Sequence, residues 1–512
     1  MALKLGRICP VKRANSAQIP WTTSSAPAVH LERHGQRRAG LEASLRDAIR
    51  GGRLAAGTKL PSTRVLAGDL GLARGTVVEA YAQLQAEGYL TARRGSGTRV
   101  AKVPVSTGEA AGGRARGAHQ GSQARPPRFS FHPGMPDLTA FPYAAWAGAL
   151  RRGLRGTPAS ALGYGDPRGR PELREALASY LTRVRGVVAD PELIVVCAGF
   201  SHGLSLLSRA LQARGATRIV MEDPCLRAHR EVAATEGLEV APLPVDELGA
   251  RADLLPSRSA RTDQLPARST GAGRLPSRKP AAVVLAPAHQ FPLGVVLHPD
   301  RRATAIAWAR ATDSVIIEDD YDAELRYDSQ PVGAVQALDP EHVAYGATAS
   351  KTLAPGLRLG WFVLPPALLE PLLELRGAED RHTPVTDQIA FAELLRSGAY
   401  ERHVRRMRVR YRRRRDRLLA MLAARVPDVT PVGIAAGLRV LLALSPAAPS
   451  ADDLARRAAA RSIELFPLSM FHHDGERHDP DGVVLGYGAL PEHDVEAGLK
   501  ALGDVLAESM RG

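Results

Sequence analysis

Between residues 194 and 365, five short apolar runs set the fold of most of this chain. They read IVVCAG (194–199), RIVMED (218–223), AAVVLAP (281–287), SVIIEDD (314–320) and GWFVLP (360–365). Each suits one strand buried on both faces, and helical segments separate several of them. That rhythm predicts an α/β domain around a largely parallel sheet. Ligands of such sheets bind at the carboxyl ends of the strands. The polar stretches there are CAGFSHG, EDPC, APAHQFPLG and EDDYDAELRY, with Lys351 following a further strand-like segment, HVAYGA.

At 512 residues the chain exceeds one domain. Its net charge of +15 favours an anionic partner, most simply nucleic acid. Cys9, Cys197 and Cys225 have no framework spacing, so they read as reduced, cytoplasmic thiols. No apolar run reaches membrane-spanning length, and the N-terminus does not read as a signal peptide. Residues 1–30 are expected to be a disordered basic arm, 31–101 a DNA-binding module, 102–128 a flexible linker and 129–512 the α/β effector domain. Within the last, 251–280 carries Leu-Pro pairs every ten residues, at Leu255, Leu265 and Leu275, and reads as a disordered repeat insertion.

The 31–101 module shows helical spacing at Leu41, Leu45 and Ile49. A short helix capped by Ser62 follows, with Leu66 and Leu70 on its buried side and Gly71 at its end. A second helix turns Val77, Ala80, Tyr81 and Leu84 inward. YLTARRGSGTRVA then alternates about Gly95-Ser96-Gly97, as a hairpin does. Three helices and a basic hairpin make a winged helix-turn-helix. The N-terminus of its last helix, opened by Arg74, Gly75 and Thr76, suits the major groove and its phosphates.

In the α/β domain, Lys351 lies in GATASKTLAPGLRLGW, among small residues that permit close contact. A desolvated lysine is nucleophilic and forms Schiff bases with aldehydes. Ser350 and Arg358 offer a hydroxyl and a guanidinium for a phosphate, and the Phe200 and Ser201 amides open a helix. Asp319, or Asp320, stands where a carboxylate keeps a pyridine nitrogen protonated. Tyr321 is placed to hydrogen-bond a phenolic ring oxygen. These are the parts of a pyridoxal 5′-phosphate (PLP) site.

Two resemblances sharpen this reading. LPSTRVLAGDLGLARGTVVEAYAQLQAEGYLTARRGSGTRVA resembles the DNA-binding domain of GntR-type regulators. It implies DNA contacts from Arg64, Arg74, Thr76 and the wing at Gly95–Gly97, with Arg93, Arg94 and Arg99 flanking; Ala73 departs from the usual capping Ser. YGDPRGRPELREALASYL, PAHQFPLGVV, IIEDDYDAELRY and ASKTLAPGLRLGW resemble fold-type I aminotransferases, and more closely the effector domain of MocR/GabR-type regulators. That resemblance implies Lys351 as the cofactor-anchoring, catalytic lysine, Asp319 at the pyridine nitrogen, Tyr321 near the ring oxygen and Arg358 at the phosphate. It also implies Tyr164 at the phosphate of a partner subunit, hence a homodimer.

Against the aminotransferase pattern, Leu226 replaces the stacking aromatic, Phe291 replaces an asparagine beside the ring, and Val484 stands where the carboxylate-binding arginine is expected; Met470 lies in the preceding stretch. A missing bidentate clamp argues against efficient amino-acid turnover. The expected function is a transcriptional regulator binding an operator on double-stranded DNA, with PLP, free or joined to an amino compound, as effector. The alternative is a working aminotransferase with a DNA-binding appendage. HHDGERHD (472–479) reads as a polar loop rather than a metal site, and the basic helix at 401–418 as a connector rather than a DNA contact.

Overall fold

A computed structural model describes residues 38–93, 97–102, 126–256, 282–327, 332–427 and 429–511. The chain divides into two compact units, Met1–Arg125 and Pro126–Gly512. The expected basic arm at 1–30, most of the 102–128 linker and most of the repeat insertion lie outside the described residues.

The first unit has helices Arg38–Arg50, Thr63–Leu70 and Arg74–Ala86, then a hairpin of Leu90–Arg93 with Gly97–Val100. Leu41, Leu45, Ile49, Leu66, Val77, Ala80, Tyr81 and Leu84 form its core. Ser62 Oγ accepts from the Val65 amide at 3.3 Å, capping the second helix, and Gly71 ends it in the left-handed region at φ 65°. Ala73 caps the third helix with no side-chain hydrogen bond.

The second unit is built on an eight-stranded sheet. In spatial order its strands are Ile194–Cys197, Gly360–Val363, Val343–Thr348, Val315–Asp319, Ala282–Leu285, Arg218–Asp223, Glu239–Asp246 and Gly249–Ala250. The five strands from Val343–Thr348 to Glu239–Asp246 pair in parallel; Gly360–Val363 runs antiparallel to both its neighbours. Both faces are covered, which is why the strand sequences are continuously apolar. Val196 and Trp361 enter one cluster with Phe391, while Val195 and Phe362 enter another with Leu204 and Leu207.

Glu239–Asp246 escapes the sequence reading because it carries Pro242 and Pro244. Among the described residues it pairs along its length only with Arg218–Asp223; the short Gly249–Ala250 strand meets it at Val245 and Asp246, beyond the prolines. The start of the expected insertion is corrected. Arg251–Pro256 belongs to the packed domain: Ala252 and Leu255 are buried, and the Pro256 carbonyl accepts from Trp308 Nε1 at 3.0 Å.

A smaller antiparallel sheet orders Val429–Val432, Arg439–Leu444, Gly482–Gly486 and Phe466–Pro467. The helix Ala399–Arg425 joins the two parts. Its Tyr400 and Val404 pack into the core of the large sheet, and its Met407, Tyr411, Leu418 and Leu422 into that of the small one. Among the described residues no helix is long and apolar enough to cross a membrane.

Candidate functional site

Lys351 follows Val343–Thr348 at that strand's carboxyl end. Gly346 is required beneath it, since a Cβ there would sit 2.7 Å from a Phe200 ring atom. Thr348 Oγ1 accepts from the Ser350 amide at 3.2 Å and lies 2.8 Å from Ser350 Oγ, fixing the turn. The half-buried Lys351 Nζ donates to the Gly134 carbonyl at 2.7 Å. A Cβ on Gly134 would stand 2.9 Å from that nitrogen. Burial holds the Lys351 pKa below the ordinary lysine value, the Asp322 and Asp319 carboxylates pull it back up, and Arg439 adds to the depression.

The segment carrying Gly134 is the first described stretch of the second unit. Phe129–Ser130 pairs with Ile463–Glu464, and the Gly486 amide donates to the Phe131 carbonyl at 2.8 Å. Beyond Gly134, the Asp137 carboxylate meets Arg414 at 2.6 Å and Arg410 at 3.1 Å.

Asp319 and Asp320 differ in their partners. Asp320 is 2.7 Å from Arg185 Nε and accepts from the Tyr345 hydroxyl at 2.5 Å, a buried structural network. Asp319 is buried too, yet its Oδ1 has no hydrogen-bond partner among the described residues. Its pKa is driven well above the carboxylate range by burial, then by Asp320 and Asp322; Lys351 opposes the shift. Asp319 Oδ2 is 3.7 Å from His229 Nδ1. Burial, assisted by Lys351, pushes that imidazole down to about 4. With the imidazole neutral and the carboxyl raised, this is a polar contact rather than an ion pair.

Tyr321 donates its hydroxyl to the His289 carbonyl at 2.8 Å. Asp319, Leu226, Phe291, His229, Cys225 and Glu222 line a small cavity of about 30 Å³. Burial pushes Glu222 up to about 8, against hydrogen bonds from the Ala286 amide and Gln290.

At the other end of the site, Gly199 has φ 87° and precedes the helix Phe200–Ala213. A Cβ on Gly199 would lie 3.4–3.5 Å from the Arg358 guanidinium. An exposed cation therefore sits beside the helix-opening amides of Phe200 and Ser201. Arg358 itself adopts φ 49°, and its guanidinium has no hydrogen-bond or ion-pair partner among the described residues. Tyr164 is not part of this cluster. It is 84% exposed and packs under Arg381, whose Cζ is 4.9 Å from the ring centroid.

Three contributors escaped the sequence reading. His229 sits on the helix Arg227–Thr235, three residues after Leu226, one helical step that could have flagged it. The Gly134 carbonyl carries no residue-type signal at all. Arg439 lies inside an apolar strand, Arg439–Leu444, on the same face as Leu441, which is paired with Val484. Val484 is buried with Leu441, Leu468 and Phe471, and offers no charge. Arg439 supplies one nearby: it is 3.5 Å from Asp322, donates to the Gln290 carbonyl at 2.7 Å and lies 4.5 Å over the Phe291 ring. In the 472–479 loop, His472 meets Asp223 at 3.2 Å and His478 meets Asp474 at 2.9 Å; no metal-holding group exists among the described residues.

In the first unit, Arg64, Arg74, Arg93 and Gly97 are exposed and Thr76 half-buried. Arg99 donates to the Gly57 carbonyl at 2.9 Å. Gly95, with Arg94 and Ser96, lies outside the described residues.

Residues 38–100 match the model of bacterial regulatory proteins of the gntR family, and residues 135–479 that of class I and II aminotransferases. The chain is 32% identical to the probable rhizopine catabolism regulatory protein MocR of Rhizobium meliloti, over 90% of this chain and 91% of that one. It is also 32% identical to the HTH-type pyridoxine biosynthesis transcriptional regulator PdxR of Corynebacterium glutamicum, over 91% and 95%. Among solved structures, the second unit is similar to a kynurenine aminotransferase of Pyrococcus horikoshii, with TM-score 0.64 and 24% identity over 75% of this chain and 92% of that one. That likeness concerns the fold.

Proposed function

The chain belongs to the GntR-family transcriptional regulators that carry a class I and II aminotransferase domain, the MocR type, and from that premise we propose that occupancy of the Lys351 site controls how its winged helix holds DNA. The cofactor of such a domain is pyridoxal 5′-phosphate, and the residues fit it. One observation carries the fit: a buried Asp319 oxygen without a partner, in the same site as a lysine whose pKa burial depresses.

Asp319 would take the pyridine nitrogen's proton as its missing hydrogen-bond donor. The Gly199 turn, the Phe200 and Ser201 amides, Ser350 and Arg358 would hold the phosphate. Tyr321 and His229 would border the ring, and Lys351 would anchor it. When bound, the cofactor supplies an aldehyde that takes up a primary amine and a ring that draws electrons. The chain's own part is to desolvate the amine, neutralise the phosphate and exclude water.

A homodimer completes this reading. The 84% exposure of Tyr164, with Tyr143 and Leu162 also exposed, supports its role at the phosphate of a second copy. Two heads would then read paired half-sites on chromosomal DNA in the cytoplasm. Val484 leaves no charged clamp on its strand, and the nearby Arg439 is already engaged by Asp322 and the Gln290 carbonyl, which favours sensing of the cofactor itself over sensing of an amino acid. The Corynebacterium relative, named for pyridoxine biosynthesis, agrees with that order.

The test is a DNA-binding titration on the chain's own upstream region, with and without PLP, at stated salt. Borohydride reduction of the loaded protein, followed by mass spectrometry, is expected to place the adduct on Lys351. Lys351→Ala is expected to bind DNA as before and to lose the PLP response. A variant that still responds refutes the reading. Turnover of an amino donor and a keto acid at about 1 per second or faster identifies a working aminotransferase instead.

A further inference from the structure

The connecting helix Ala399–Arg425 divides its arginines between two kinds of surface. On one flank they are neutralised or engaged. Arg410 and Arg414 meet Asp137 and Glu492, Arg417 lies 3.7 Å from both Glu492 and Glu496, and Arg408 donates to the Glu324 carbonyl. On the flank opposite the buried face, Arg402, Arg405, Arg406, Arg412 and Arg413 are all exposed. At 100° per residue these five fall within roughly one third of the helix circumference. Among the described residues, Arg402 and Arg406 touch only neutral groups, the Ser397 carbonyl and His403. Arg405, Arg412 and Arg413 have no partner among the described residues.

Acids are scarce along this stripe. Glu401, at its edge, is held by Arg183 at 2.5 Å, and Asp416 stands exposed at its far end. Clustered like charges repel one another, so a stripe in which arginines outnumber acids is a cost to the free protein that a polyanion relieves. From Arg402 to Arg413 the helix rises about 16 Å, the axial length of about five base pairs. We propose that this stripe is a second DNA contact, on the effector unit, which grips the phosphate backbone without reading sequence. Connector and DNA contact are thus different faces of one helix. The partner fits by charge, and the winged helix already brings duplex DNA to the chain.

The test uses the full chain and random-sequence duplexes of about 15 and about 60 bp, the shorter sized for the winged helix alone. Arg405→Ala, Arg412→Ala and Arg413→Ala are combined; alanine preserves helix propensity, and exposed changes leave stability nearly unaltered. Fluorescence anisotropy between about 50 and 200 mM salt gives log K against log salt. On the long duplex the triple variant's slope is expected to be shallower by roughly 2–3, about 0.9 per lost phosphate contact. On the short duplex it should match the parent. Arg74→Ala should weaken both, so a failure of the head to bind DNA is visible separately. The corresponding triple lysine variant should restore the slope, since charge rather than a fork is required. An unchanged slope on the long duplex overturns the proposal. So does an equal loss on both duplexes. A variant that keeps its DNA slope but loses binding to vesicles with anionic lipid overturns it in favour of a membrane surface.

Discussion

Replacing Asp319 by asparagine should change the stability of the empty and the loaded protein in opposite directions. In the empty site the carboxyl is buried, flanked by Asp320 and Asp322, and leaves Oδ1 without a partner. A buried ionisable group in that position costs about 1–3 kcal/mol. Because the native carboxyl is raised, the folded chain binds more protons than the unfolded one above the ordinary carboxylate pKa. Wild-type stability therefore falls as pH rises, and the variant escapes that fall. Asp319→Asn should match the parent near pH 4 and exceed it by about 2 kcal/mol at pH 8, a midpoint shift of roughly 2–3 °C for a unit this size. With PLP the order should reverse. The charge-assisted bond to the ring nitrogen is worth about 1.5–3 kcal/mol, so affinity should fall about 10- to 100-fold, and most of the ligand's stabilisation with it. Thermal melts of the effector transition, empty and with saturating PLP, from pH 4 to 8, read both effects. An empty variant that melts below the parent at pH 8, or an unchanged PLP affinity, refutes the assignment.

Asp320→Asn should behave oppositely when empty: it strands Arg185 in the core and should cost about 3–5 kcal/mol, seen as a large drop in urea midpoint. Ala73→Ser should supply the missing cap of the helix Arg74–Ala86 and raise the stability of the first unit by up to about 1 kcal/mol in a denaturant melt. The rate of PLP loading, followed by absorbance, should rise with pH to a midpoint below that of an ordinary lysine, because burial releases the Lys351 proton early. A midpoint at the free-lysine value would contradict that desolvation.

Local chemistry made much of this molecule legible. Ser62, Gly71 and the inward face at Val77, Ala80, Tyr81 and Leu84 follow from capping and period alone. So do the buried parallel strands, whose two covered faces leave an unbroken apolar signature. What stayed hidden depends on pairings that sequence does not encode locally. The antiparallel course of Gly360–Val363 is a matter of topology. Glu239–Asp246 was masked by prolines that only its open flank tolerates. Asp319 and Asp320 look alike until Arg185 claims one of them. Arg439 reads as one polar residue in an apolar strand until the strand beside it shows which way it points.

The carbonyl that holds the Lys351 amine sits only eight residues beyond Pro126, where the second unit begins. A hydrogen bond to a charged donor is worth about 1.5–3 kcal/mol, and a tenfold change in population needs about 1.4. Whatever draws that nitrogen elsewhere removes one of the bonds that hold this entry segment, leaving the Phe129–Ser130 pairing and the Asp137 ion pairs to hold the rest. Site and entry segment thus share one atom, and an event at the amine need cross no long chain of intermediaries to be felt where the second unit begins.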